Sequence, residues 1–264
     1  MEWERIRGVI LDMDGVLYRG SSPLPGAREI IGFFQEAGIA YVLATNNSAR
    51  TAQQYQQVLE RMGIVVSVER ILTSAMAAAW YLRRLAPQGG TAFVIGEEGL
   101  LQEITAAGFT LSAEDPQFVV SGLDRALTYE KLAIACRAIA RGAKFIGTNA
   151  DPILPTEDGF IPGSGAILAA IAKATGVEPV VLGKPEAPLV EMALERLGTT
   201  PETTAMIGDQ LGTDILGGKR MGLRTILVLS GVSRREHIEE AGVVPDVVVS
   251  GLPELLELWR RGIS

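Results

Sequence analysis

Short blocks of apolar and β-branched residues alternate along this chain with longer amphipathic stretches, and that alternation restricts the fold to the α/β class with a mostly parallel sheet. The predicted strands are Gly8–Asp12, Ala40–Thr45, Thr91–Ile95, Phe118–Ser121, Lys144–Gly147, Val180–Leu182, Ala205–Gly208, Arg224–Leu229 and Val247–Val249. Several are continuous apolar blocks rather than alternating ones, as strands covered on both faces by helices must be. The predicted helices are Gly26–Ala37, Ala49–Met62, Ser74–Leu85, Gly99–Ala107, Tyr129–Ala140, Gly165–Thr175, Pro188–Leu197, Thr213–Met221 and Pro253–Arg261. Many are followed by a glycine (Gly38, Gly63, Gly108, Gly142, Gly176, Gly198, Gly222), where a left-handed residue closes the last turn.

At ~150 residues per domain, 264 residues make one large domain or two smaller ones. Two breaks in texture, Pro87-Gln88-Gly89-Gly90 and Gly176-Val177-Glu178-Pro179, bracket a segment able to form a strand–helix layer of its own. The expected organisation is a doubly wound, Rossmann-like core made of residues 1–79 and 180–264, with a smaller α/β domain, residues 80–179, inserted between them.

Two of the predicted strands run into carboxylates. In Gly8-Val9-Ile10-Leu11-Asp12-Met13-Asp14-Gly15 an apolar strand ends in two aspartates spaced i, i+2 and a glycine that permits a sharp turn. The carboxyl ends of parallel strands are where open α/β sheets bind ligands. Read alone, the Asp-Gly pair is equally a simple turn signal. In Ala205-Met206-Ile207-Gly208-Asp209-Gln210-Leu211-Gly212-Thr213-Asp214 a second strand meets Asp209, and Asp214 follows near a helix start. Asp214 by itself reads best as a residue complementing a helix dipole; nothing structural asks for Asp209 at a buried strand tip. Asp12, Asp14 and Asp209 together form an all-oxygen donor set suited to Mg²⁺, which would also relieve their mutual repulsion.

Two more strand ends offer groups for a phosphate. Thr45-Asn46-Asn47-Ser48 closes the strand Ala40–Thr45 with a hydroxyl and backbone N–H groups at a helix start, a phosphate cradle or an ordinary N-cap. Lys184, in Gly183-Lys184-Pro185, would neutralise phosphoryl charge if it faces the same edge, and is a solvated loop lysine if it does not.

Composition narrows the chemistry further. With 24 basic and 31 acidic residues the net charge is −7, which argues against nucleic acid or an anionic membrane gripped through a basic face. A single cysteine, Cys136, and a single histidine, His237, exclude an intrachain disulfide, a multi-cysteine metal centre and any His-pair zinc site. The start, Met1-Glu2-Trp3-Glu4-Arg5, alternates charge without an apolar stretch, and no run approaches the ~20 apolar residues of a membrane span. A cytoplasmic protein is expected.

Other features read blandly. Gly163-Ser164-Gly165 opens like a dinucleotide fingerprint but has Leu168 in place of the third glycine, and Gly183-Lys184 has Glu178 where a P-loop needs glycine. Cys136 reads as a buried small hydrophobe, His237 as a surface residue at a polar helix start, Trp80 and Tyr81 as core, and Arg83-Arg84 as a solvated face.

DMDGVLYRG, TNNS, GKP and GDQLGTD, in this order and at these intervals, resemble the haloacid dehalogenase-like phosphatase superfamily, and more narrowly its type IIA branch, the NagD-like and 4-nitrophenylphosphatase-like group. The resemblance implies a Mg²⁺-dependent hydrolysis of small phosphate monoesters through an aspartyl-phosphate. It implies Asp12 as nucleophile and Asp14 as the acid that protonates the leaving oxygen and then activates water. Thr45 and Lys184 would hold the phosphoryl group. Asp12 and Asp209 would ligate Mg²⁺ by side chain, Asp14 by its backbone carbonyl, and Asp214 through water. The inserted segment would be the branch's cap, whose polar loop with Thr148, Asn149, Asp151 and Leu154, together with Asn46 and Asn47, would meet the substrate.

A sugar phosphate, a nucleoside monophosphate, phosphoglycolate or an aryl phosphate would all suit such a loop. The caps of this family often pair, so a homodimer is a further expectation. Two rival readings use the same residues: a phosphomutase with Asp12 as nucleophile, and a non-catalytic module that binds a phosphate ligand.

Overall fold

The computed structural model describes residues 3–156 and 159–262; Met1 and Glu2, part of the charged start, lie outside the described residues. The chain opens with β1 (Gly8–Leu11), then a small antiparallel hairpin, β2 (Tyr18–Arg19) and β3 (Ser22–Pro23). There follow α1 (Ala27–Glu36), β4 (Ala40–Thr45), α2 (Ala52–Arg61), β5 (Ile71–Thr73) and α3 (Ser74–Leu85). The middle of the chain contains β6 (Gly90–Ile95), α4 (Glu98–Ala106), β7 (Phe109–Leu111), β8 (Phe118–Ser121), α5 (Tyr129–Ala140) and β9 (Lys144–Gly147). A second hairpin, β10 (Ile153–Thr156) and β11 (Gly159–Pro162), precedes α6 (Ser164–Thr175) and β12 (Val180–Val181). The last third holds α7 (Ala187–Leu197), β13 (Thr204–Gly208), α8 (Leu216–Arg220), β14 (Arg224–Val228), α9 (His237–Ala241), β15 (Val247–Val249) and α10 (Leu252–Gly262).

These elements form two compact units, one of residues 1–45, 53–72 and 184–264, the other of residues 46–52 and 73–183. The first is built on a six-stranded sheet of order β15-β14-β13-β1-β4-β5, parallel from β15 through β4. From β1 the chain winds outward to β4 and β5, then returns to fill β13, β14 and β15 on the other side. The order therefore reverses at β1, which makes the carboxyl ends of β1, β4 and β13 a topological switch point. Every residue of β1 and β13 is buried, which their unbroken apolar runs require.

Beside this sheet an aromatic cluster closes the first unit: Trp259 of α10 lies 4.9 Å from Trp3 and 5.2 Å from Phe34, ring centre to ring centre. The cluster thereby ties the unit's first described residue to its last helix.

The second unit has a five-stranded, fully parallel sheet of order β12-β9-β8-β6-β7. Its core packs Ile95, Val119 and Phe145 of the sheet against Ala135, Ala138 and Ile139 of α5 and Ile167, Leu168 and Ile171 of α6. Val180–Val181 is the edge strand of this second sheet, paired with Ile146 and Gly147. The α3 helix also belongs to this unit, capped by the Thr73 side chain, which accepts the Met76 N–H at 3.2 Å.

Several expectations are corrected by the structure. Two three-residue strands, β5 and β7, were not expected, because a threonine breaks each short apolar run. The segment expected to be helical from Thr213 begins instead as a π-turn over Leu211–Ile215 and becomes α-helical only at Leu216. Trp80 and Tyr81 are half-buried rather than core, the Arg84 guanidinium lying 4.5 Å over the Trp80 ring. Cys136 is half-buried against the second unit's core. All seven glycines expected to end helices do have φ between 65° and 103°. No helix among the described residues is long and apolar enough to cross a membrane.

Candidate active site

The site in the first unit grows from the register of its strands. Leu11 pairs with Leu43 of β4 and Ile207 of β13, so the residues that leave β1 and β13 next are Asp12 and Gly208-Asp209, side by side. The Asp12 N–H still donates to the Ile207 carbonyl at 2.9 Å, which keeps Asp12 on the sheet as β1 ends. Met13, which follows, is fully buried, and its carbonyl accepts the N–H groups of Leu17 and Tyr18, folding Asp14 and Gly15 into a tight turn. Gly15 has φ of 81°, and a Cβ there would overlap Asp209 Oδ2; only glycine fits this turn against that carboxylate.

Lys184 is the cation of the site. Its ammonium donates to Asp12 Oδ1 at 2.5 Å and to the Ala44 carbonyl at 2.9 Å, and lies 2.7 Å from Asp214 Oδ1. Burial alone would lower the Lys184 pKa, but Asp12 and Asp214 outweigh it and hold the group above its ordinary value, so it is charged at any working pH. Asp12 moves up as well: burial raises it well above 3.8, and the attraction of Lys184 only partly offsets burial and the repulsion from Asp214 and Asp209.

Asp209 is fixed by its neighbours on one side only. Its Oδ2 accepts the Val232 N–H at 2.7 Å and its carbonyl accepts the Ser233 N–H at 3.0 Å. Its Oδ1 is buried with no hydrogen-bond partner among the described residues. Burial, with repulsion from Asp214, raises this group to about 7. Asp214 uses Oδ2 to accept the Gln210 N–H at 3.1 Å, a closure that helps to shape the π-turn.

Oxygens of Asp12, Asp209 and Asp214 all lie within 4.8 Å of one another. Three buried carboxylates, one with an orphaned oxygen, are a donor set that a hard divalent cation would satisfy. The Asp14 side chain is not part of that group and is exposed to solvent. Partial desolvation nonetheless raises its pKa above 3.8, against the lowering effects of the Gly15 N–H and Arg19.

Of the other expected residues, Thr45 is buried at the end of β4. Asn46, Asn47, Thr148, Asn149 and Asp151 lie in the second unit. There the Asn46 amide donates to Asp151 Oδ2 at 3.1 Å, and the Asn149 amide donates to the Asn46 carbonyl at 2.7 Å. Asn47 Oδ1 accepts the Ala49 N–H at 2.9 Å, an Asx turn. Thr148 is fully buried, its hydroxyl donating to Ser48 Oγ at 3.2 Å. His237 Nδ1 accepts the Arg234 N–H at 3.1 Å, a local turn contact in keeping with its expected structural part.

Sequence reasoning missed three contributors. The direct Lys184–Asp214 pair was not foreseen, because Asp214 alone looks like a helix-start residue. The Val232 N–H and the Ala44 carbonyl were missed because backbone groups leave no mark in side-chain identity. The Ser-Gly pair after β14 is the one available signal: a Cβ on Gly231 would overlap Asp209 Oδ2, so glycine is required there.

Known proteins resemble this chain in sequence and fold. A family model described as haloacid dehalogenase-like hydrolase matches residues 9–110, and a second, HAD-hydrolase-like, matches residues 181–255. The chain is 39% identical over 248 residues to the 5'-nucleotidase YutF of Bacillus subtilis (strain 168), covering 94% of this chain and 96% of that protein. It superposes on the crystal structure of a 4-nitrophenylphosphatase from Thermotoga maritima with a TM-score of 0.93 at 36% identity, covering 97% and 98% of the two chains. On NagD from E. coli K-12 the TM-score is 0.89 at 38% identity, covering 94% and 98%.

Proposed function

This chain belongs to the haloacid dehalogenase-like hydrolases, and on that footing we propose that it is a Mg²⁺-dependent phosphatase acting on small phosphate monoesters through an aspartyl-phosphate on Asp12. The observation that carries the proposal is the Lys184 ammonium held against Asp12 Oδ1 at 2.5 Å beside the orphaned Asp209 Oδ1. A carboxylate at a strand tip is a poor nucleophile toward a phosphate dianion unless the charge it faces is neutralised, and Lys184 supplies one positive charge that burial cannot remove.

In the proposed reaction the substrate's phosphoryl group sits between Asp12, Lys184 and Thr45. Lys184 and the Thr45 hydroxyl hold its oxygens. An Asp12 oxygen bonds to phosphorus as the bond to the leaving oxygen breaks, and Asp14, whose raised pKa favours the acid form, gives that oxygen its proton. The resulting Asp14 carboxylate then takes a proton from the water that attacks phosphorus, releasing phosphate and restoring Asp12. Asp12 and Asp209, with the Asp14 carbonyl, would hold Mg²⁺, and Asp214 would support it from behind. Bound there, the ion supplies further neutralisation of phosphoryl charge and a fixed orientation for the phosphate.

The inserted segment, residues 80–179, is proposed as the family's cap, and the cluster of Asn46, Asn149 and Asp151 in the second unit, with Asn47 and Thr148 shaping the loops, as the part that reads the substrate's organic group. Sugar phosphates, nucleotides and aryl phosphates are the candidate substrates. The proposal extends to a homodimer formed through the inserted unit, which the mass in solution tests.

The deciding experiment is phosphate release from a panel of such monoesters, with Mg²⁺ and with EDTA, for the natural protein and Asp12→Asn. Mg²⁺-dependent release abolished by D12N, with an unchanged circular dichroism spectrum, is expected. Release retained by D12N overturns the nucleophile. Isomerisation of a sugar phosphate without release would favour the phosphomutase.

A further inference from the structure

The loop that follows β14, Leu229–Ser233, touches three separate parts of the first unit. Val232 and Ser233 donate their N–H groups to Asp209, and Ser233, itself buried, accepts the Leu211 N–H at 3.1 Å where the π-turn bearing Asp214 begins. Ser230 Oγ donates to the Gly15 carbonyl at 2.8 Å, in the turn that carries Asp14. The Ser230 carbonyl in turn accepts a hydrogen bond from the Arg19 guanidinium, which also reaches the Gly231 carbonyl at 3.5 Å.

Arg19 stands on the β2–β3 hairpin, and the Gly15 N–H donates to the Tyr18 carbonyl at 2.8 Å, one residue before it. The contacts thus close a ring: Gly15 to Tyr18, Arg19 to Ser230, and Ser230 back to Gly15. Two residues further along the same loop, Val232 holds Asp209 Oδ2.

We propose that Arg19 and Ser230 are positioning residues: their clasp fixes the Asp14-bearing turn relative to the Asp209 carboxylate. The clasp rests on the phosphatase reading above and adds to it a device that ties Arg19 of the first motif to Ser230, which lies outside all four. Its two links, Ser230 Oγ to the Gly15 carbonyl and Arg19 to the carbonyls of Ser230 and Gly231, bridge the same turn and loop side by side. Breaking either loosens the turn, and breaking both frees it from the loop. One nitrogen of the guanidinium donates to both neighbouring carbonyls, and the group stays charged at any working pH. Misplacing a proton donor by about 1 Å costs on the order of a hundredfold in rate, so the effect belongs in kcat rather than in substrate affinity.

The experiment compares Arg19→Ala, Arg19→Lys, Ser230→Ala and the R19A/S230A double variant in the full-length protein. Steady-state kinetics are measured on a monoester the natural protein hydrolyses, and Mg²⁺ affinity is measured by calorimetry on the metal-free protein. R19A and S230A are each expected to lower kcat at least tenfold with KM changed less than threefold, and to weaken Mg²⁺ binding at least threefold. The double variant should fall clearly below the worse single one, because each single variant keeps one of the two links. R19K should regain part of the loss.

A kcat within twofold of the natural protein in both single variants overturns the clasp, as does a double variant no worse than the worse single one. A general loss of stability would lower both melting temperature and the fraction folded but would leave kcat per folded molecule unmoved, which also overturns it. If the natural protein binds Mg²⁺ but hydrolyses nothing, the phosphatase reading fails by itself. The clasp is then decided by Mg²⁺ affinity, and an R19A affinity equal to the natural one refutes it.

Discussion

Lys184 and Asp214 are direct partners, Nζ to Oδ1 at 2.7 Å, with both side chains almost wholly buried. Asp214 therefore shares with Asp12 a single ammonium group, and the three form one charge unit rather than an ion pair with a distant third member. Two carboxylates against one ammonium leave that unit negative, which suits it to a divalent cation close by.

Removing the shared cation should be costly in stability as well as activity. Lys184→Met leaves Asp12 and Asp214 buried without a counter-charge, an arrangement that typically costs about 3–5 kcal/mol. Urea denaturation of the metal-free protein checks this. Asp214→Asn, which keeps an oxygen toward Lys184 and relieves one repulsion on Asp12, should lose far less; equal losses from the two would refute the shared role.

The raised pKa of Asp209, about 7 when folded against 3.8 for an ordinary aspartate, carries a definite sign. Between those values the folded state binds the proton more tightly, so this group's contribution is fully present below the unfolded pKa and is lost as pH rises toward the folded one. Metal-free protein should melt lower at pH 8 than at pH 5.5 on this account, and Asp209→Asn should flatten the difference. Mg²⁺ should restore stability at pH 8. A melting temperature that rises from pH 5.5 to 8 in the metal-free protein, with D209N behaving alike, would count against it.

Asp246 predicts the opposite slope. Burial would raise its pKa, but the Lys219 ammonium at 2.8 Å and the Thr225 N–H and hydroxyl, at 2.8 and 2.9 Å, together lower it below 3.8. Its contribution is present above the unfolded pKa and is lost as pH falls through the folded one. Asp246→Asn should cost about 1 kcal/mol at pH 7, as for a lost charged hydrogen bond. That difference from the natural protein should shrink toward zero below pH 3; a constant difference across the range would refute the assignment.

Gly231→Ala tests how closely Asp209 is held. The added methyl would overlap Asp209 Oδ2, too close for any rotamer to relieve without moving the carboxylate or the loop. A loss of about 1–3 kcal/mol is expected, as for overpacking in a core, with Mg²⁺ affinity weakened alongside. Unchanged affinity in a stable G231A protein would show that the loop can shift away from Asp209 freely.

Much of the architecture was legible because apolar blocks are long where strands are central. Ala40–Thr45, Phe118–Ser121, Lys144–Gly147 and Val247–Val249 were read to the residue, and Asp12 and Asp209 stood out as carboxylates at the ends of such blocks. Ile71–Thr73 and Phe109–Leu111 were missed because a threonine interrupts each short apolar run, whereas Val247–Val249, equally short, is an unbroken block of valine. The grip on Asp209 was invisible for another reason: Val232 contributes an N–H that every residue except proline possesses. Asp214 was misjudged in its reach, since a one-residue widening of the helix at Leu211–Ile215, which turns its carboxylate onto Lys184, follows from hydrogen bonds that a residue list does not encode.

Asp12 and Lys184 are separated by 172 residues of chain, and Asp209 comes later still. During synthesis Asp12, in what becomes a central strand, must wait for 172 further residues before its counter-charge exists. Contacts so distant in sequence close slowly and late. A ribosome that stalls between Asp12 and Lys184 therefore releases a product with the carboxylate but no ammonium to oppose it, and the charges of the site meet only once Asp209 and Asp214 have followed.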